Sequence, residues 1–153
     1  MSIKFIKNFI NTFLILLNIF CLNVWSSESL NCDEVIEREN ILYKKFTDIP
    51  YTGLVKSKCE KICSGRYLRG KPEGNCQTFW EKGGLHKDYN FINGLRNGTQ
   101  KMYYSNGNLR YKYRMENEKI HGDFENWDEK GSLSIQLLFD NGKCIVASKG
   151  ECF

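Results

Sequence analysis

Apolar and polar residues alternate along much of this chain. Leu85, Tyr89 and Phe91 fall on one parity, with His86, Asp88 and Asn90 on the other. Leu109, Tyr111, Tyr113 and Met115 alternate with Arg110, Lys112 and Arg114, and Leu133, Ile135, Leu137 and Phe139 follow the same rule. A period of two predicts strands with one buried face. Between them stand Gly83-Gly84, Asn93-Gly94, Asn106-Gly107, Lys130-Gly131 and Asn141-Gly142. Asn-Gly is the favoured pair for a type I′ turn, whose twist matches its flanking strands. Asn117-Glu118 lacks the glycine, and a looser turn or a bulge is expected there. Pro50 and Pro72 are expected in turns.

The pattern recurs. Gly74, Gly98 and Gly122 are spaced 24 residues apart, and five residues after each comes an aromatic: Phe79, Tyr103, Trp127. Glycine follows at Gly83, Gly107 and Gly131, leucine at Leu85, Leu109 and Leu133, and asparagine at Asn93, Asn117 and Asn141. A fixed period of this length marks a repeat architecture. Three units, 74–97, 98–121 and 122–145, are therefore predicted. The expected fold is all-β: an antiparallel meander of tandem 24-residue hairpins in a single elongated, twisted sheet. Upstream, Ile41–Phe46 and Tyr51–Val55 are read as a hairpin around Thr47–Pro50. That makes 40–73 a degenerate first unit, as a capping end repeat should be. Residues 32–39, with Asp33, Glu34 and Glu37, suit a short helix within an N-terminal segment 27–39, and 146–153 form a tail.

The first 26 residues read differently. Lys4 and Lys7 precede an apolar run from Phe9 to Leu22, and Val24 and Ser26 hold the small-residue positions before a cut at Ser27. This is the layout of a cleaved signal peptide, predicting a periplasmic or secreted protein. The run is broken by Asn11 and Asn18 and is short for a span of roughly 20 apolar residues; a retained anchor is the alternative. Acylation at Cys21 is disfavoured by the bulky Phe20 before it. Six cysteines follow: Cys32, Cys59, Cys63, Cys76, Cys144 and Cys152. An even count in an exported chain predicts disulfides. Cys144 and Cys152 suggest a local pair, with the other four settling among themselves. Cys59-x3-Cys63 is not a zinc-knuckle spacing, so no metal is expected.

Beyond the leader, 20 basic residues face 18 acidic ones, a net charge of +2 with both signs interspersed. No basic run points to nucleic acid. His86 and His121 stand apart from any nucleophile, and Asp123 with Glu125, or Asp128 with Glu129, suit an exposed strand and turn. No glycine-rich phosphate loop opens a helix. No catalytic or cofactor-binding residues are assigned.

Gly98-Thr-Gln-Lys-Met-Tyr-Tyr-Ser-Asn-Gly-Asn-Leu109 and Asp140-Asn-Gly-Lys143 resemble the bacterial variant of the MORN repeat. Leu42–Gly53 looks like the segment that opens many such proteins, and the likeness covers roughly residues 40 to 143. The resemblance implies a β-meander and a non-catalytic module, of a kind often grouped as YwqK-type antitoxins. Cys76, Gln100 and Phe124 stand where that family often has tryptophan, and the six cysteines are an addition. The expected function is a scaffold for a protein partner. An antitoxin or immunity role, or binding to membrane lipid or cell-wall glycan, are the alternatives. Phe79, Tyr103 and Trp127 are expected to pack with the leucine row as core. On the sharper reading they form, with Trp80 and Tyr104, an open binding surface.

Overall fold

The computed structural model describes residues 29–56, 58, 61–147 and 152; the predicted leader, Cys21 and Cys59 lie outside them. Period-two alternation produces the strands it predicts. In chain order these are β1 (Ser29–Leu30), β2 (Val35–Arg38), β3 (Ile41–Lys44), β4 (Gly53–Val55), β5 (Ser64–Leu68), β6 (Lys71–Phe79) and β7 (Leu85–Ile92). After them come β8 (Leu95–Arg96), β9 (Gly98–Tyr103), β10 (Leu109–Glu116), β11 (Lys119–Trp127), β12 (Leu133–Asp140) and β13 (Lys143–Ala147). Eleven of them form one sheet, in the order β1-β4-β5-β6-β7-β9-β10-β11-β12-β13, with β8 also bonded to β7. From β4 onward every neighbour is antiparallel.

The N-terminal part departs from expectation. Residues 32–34 make a single 3-10 turn, and the chain then extends as β2 instead of continuing as a helix. The partner of β3 is β2, in a separate two-stranded sheet closed at Glu39-Asn40. Only a Tyr43–Pro50 bridge remains of the expected hairpin around Thr47–Pro50. β4 pairs with β5, and β1 runs parallel to β4, which makes the large sheet mixed. Pro72 sits second in β6, opposite Tyr67, where a strand tolerates a missing N–H, and so is not in a turn.

Two kinds of connection carry the repeated region. Asn93-Gly94 and Asn141-Gly142 have positive φ at both residues, as a type I′ turn demands. Asn117-Glu118 does the same, at φ 49° and 62°, so this turn is as tight as its glycine-bearing counterparts and not loose, while the expected irregularity falls nearby, where the β10–β11 register shifts between Tyr113 and Met115. The other connections hold three residues. Gly83, Gly107 and Gly131 N–H groups donate to the carbonyls of Trp80, Tyr104 and Asp128, while Trp80, Tyr104 and Asp128 N–H donate to Gly84, Asn108 and Ser132. Only the third loop residue has positive φ, which is a type I turn followed by a glycine bulge, so Asn106-Gly107 is not a type I′ pair.

Burial is uneven. The buried cluster is Leu30, Val35, Leu42, Tyr51, Val55, Tyr67 and Cys76, with Phe91 packed against it. It lies where the small β2–β3 sheet covers the large one. Beyond β7 buried side chains on the same face are sparser: Gln100, Met115 and Leu137. Leu133 is 46% exposed, and Phe79, Tyr103 and Trp127 are only half-buried, so the expected core of aromatics and leucines is not where the protein hides its side chains.

Candidate binding surface

Strand pairing puts cross-strand partners on one face. Cys76 opposes Tyr89, Gln100 opposes Tyr113, Tyr113 opposes Phe124, and Phe124 opposes Leu137. This row crosses the sheet at right angles to the strands. Its rings touch: Phe124 lies 5.8 Å from both Tyr111 and Tyr113 and 6.1 Å edge-on from Phe139. Such offset and edge-to-face contacts suit aromatic quadrupoles. The opposite face is polar, pairing Gln77 with Asp88, Asp88 with Lys101, Lys101 with Lys112, and Lys112 with Glu125. There Lys112 bonds Glu125 at 3.2 Å, and Asn75 donates to Asp88 at 2.6 Å.

Burial governs the phenols. Desolvation pushes Tyr89 up to about 12, with the neighbouring Tyr113 adding to the effect and Arg96 opposing it. Tyr67 is pushed higher by burial and then by the Glu37 carboxylate, while its hydroxyl bonds the Cys63 carbonyl at 3.2 Å. Tyr103 is raised by burial and by Asp88. All three are neutral hydroxyls at physiological pH. Gln100 is fully buried in the row and spends its side-chain N–H groups on the carbonyls of Asn90, Asn97 and Gly98.

Phe79, Tyr103 and Trp127 each pair with a leucine at the loop end of their strands: Leu85, Leu109 and Leu133. Trp80 stacks on His86 at 3.8 Å. The Tyr104 hydroxyl donates to the Trp127 carbonyl at 2.9 Å, under the Arg110 guanidinium. These five are spread along the loop edge. Tyr111, Tyr113, Phe124 and Phe139, which do form a contiguous patch, are missing from the sequence candidates. The signal for Tyr111, Tyr113 and Phe139 is the alternation itself, which assigns them to a buried face, and Phe124 stands out in the sequence only where the MORN variant often has tryptophan.

Two disulfides are paired as the cysteine spacing suggests or allows. Cys144–Cys152 spans 5.6 Å between Cα atoms, and Cys63–Cys76 spans 5.4 Å. Cys32 is also disulfide-bonded. Such bridges point to an oxidising compartment. Among the described residues no helix is long and apolar enough to cross a membrane.

A sheet of tandem hairpins, apolar on one side and capped at its N-terminal end, defines a repeat-built β protein consistent with a binding module. Residues 96–117, which take in β9, β10 and the loop between them, match the MORN repeat variant, so the chain carries that repeat. No curated protein and no solved structure matches the chain significantly.

Proposed function

We propose that this is an exported, non-catalytic module that binds a protein partner through the apolar face of its sheet. One observation carries the reading: the aromatic patch of Tyr111, Tyr113, Phe124 and Phe139 continues the row that packs the N-terminal core, yet lies outside that buried cluster and keeps part of its ring surface exposed. Aromatic rings contribute large contact area at low entropic cost, which is what interface anchors need. The phenol hydroxyls at its border give the polar handles that fix a partner's orientation. A photo-crosslinking side chain placed at Phe124 in the native host should give a discrete protein adduct, and the same group at Arg114 on the polar face should not. A toxin as the captured protein would make the role one of immunity. Equal labelling from both faces, or lipid or glycan labelling alone, refutes the protein-partner reading.

A further inference from the structure

Where the small sheet overhangs β6 and β7 it leaves a groove of about 660 Å³. Its floor is aromatic, with Tyr67, Tyr89 and Phe91 beside the Cys63–Cys76 bridge. The groove follows the strands, from Lys71 at the turn end to Thr78 at the loop end. At about 3.3 Å per residue this is roughly 23 Å, the length of a half-dozen extended residues.

It carries charges of both signs. Glu39 and Glu118 line the turn end together with Lys71 and Arg96, and Arg96 lies 4.6 Å over the Tyr89 ring. At the loop end the lining cations are Lys61 and Lys87, and Lys58 sits 5.8 Å above Phe79 nearby. The third lining carboxylate, Glu37, acts on the Tyr67 phenol, whose hydroxyl bonds Cys63. Lys87 breaks the pattern of its own face: it has the parity of Leu85, Tyr89 and Phe91, and the residues 24 and 48 positions later are Tyr111 and Ile135. Its cross-strand partner is Thr78, which is 7% exposed and whose hydroxyl has no hydrogen-bond partner among the described residues. The residues 24 and 48 positions on from Thr78 are Met102 and Asn126. A lysine on an apolar face beside a buried, unpaired hydroxyl is costly to folding. A bound oxyanion recovers that cost.

We infer that the groove binds the C-terminal end of an extended peptide, its terminal carboxylate held by Lys87 with Thr78 beneath. The peptide's apolar side chains lie on Tyr89 and Phe91, and a basic residue or ammonium group meets Glu39 and Glu118. Strand-like peptides and captured carboxylates are established modes of peptide recognition. This inference rests on the protein-partner reading but uses a different part of the sheet, so the two fail separately.

The test uses the folded, oxidised protein and two fluorescent pools of random hexapeptides, one with free C-termini and one amidated, followed by fluorescence polarisation. The free-acid pool should bind at least tenfold more tightly. Lys87→Met should abolish that preference, and Lys87→Glu should reverse it. Thr78→Val, which removes the unpaired hydroxyl, should keep or raise the melting temperature while weakening free-acid binding about threefold. Equal binding of the two pools, no binding by either, a preference that survives Lys87→Met, or binding of a medium-chain fatty acid in place of peptides overturns the assignment. Loss of peptide binding with the Phe124 adduct intact would sink this site and leave the protein-partner reading standing.

Discussion

Glu118 shows how one position reports on backbone geometry. It is the second residue of a tight turn and holds φ at 62°, while Gly94 and Gly142 occupy the same place at 83° and 86°. A side chain in the left-handed region costs about 1 kcal/mol or more relative to glycine, because Cβ crowds the following carbonyl. Glycine's greater freedom in the unfolded chain returns part of this. Glu118→Gly should therefore stabilise the protein by about 0.5–1 kcal/mol, read as a higher urea midpoint with an unchanged slope. A lower midpoint would mean that the Glu118 carboxylate contributes more than the turn geometry costs. Arg69 and Glu39 hold positive φ in the corresponding turns of the N-terminal region, where no Asn-Gly pair marks the spot.

Among elements, stability should follow burial. β5 and β6 share the buried cluster and the Cys63–Cys76 bridge, whereas β12 and β13 expose Leu133, Ile145 and Val146. Amide exchange should be slowest in β5 and β6 and at least tenfold faster in β12 and β13, because local opening there uncovers little apolar surface. Uniform protection would imply that the apolar face is covered along its whole length. The same contrast explains what the sequence disclosed. Alternation located β7, β10 and β12 closely, since a period of two needs no tertiary information. It could not say that the face it marked as core would be half open, because the covering layer comes from β2 and β3, far away in the chain. The sequence marks β3 as a strand but points to the wrong partner, and it places β2 in a short helix, for a local reason. Thr47–Pro50 combines Asp48 with Pro50, a strong turn composition, whereas Glu39-Asn40, which actually turns, has neither glycine nor proline to mark it. The contiguous aromatic patch is legible in the sequence only as strand parity, and the groove's loop end only through Lys87 standing where Tyr111 and Ile135 recur.

For the whole molecule, the disulfides bear on where the chain resides. Cys63–Cys76 and Cys144–Cys152 are paired, and Cys32 is bonded as well. Protein recovered from its native host should have an intact mass beginning at Ser27, and alkylation without reduction should label no thiol. Reduction should then expose six. A full-length mass with all cysteines alkylated from the outset would refute export and remove the reason for expecting bridges.

Between Cys76 and Cys144 the sequence holds no cysteine, and all the strands from β7 to β12 fall in that interval. Force applied to the two ends would meet covalent stops on either side and only hydrogen-bonded ladders between them. The middle of the sheet would open hairpin by hairpin while the bridged N-terminal end kept its shape, and β13 would part from β12 with only its short tail loop still closed. Such a molecule is a strap anchored at one end, able to lengthen under load from its free edge and to recoil onto the bridged end.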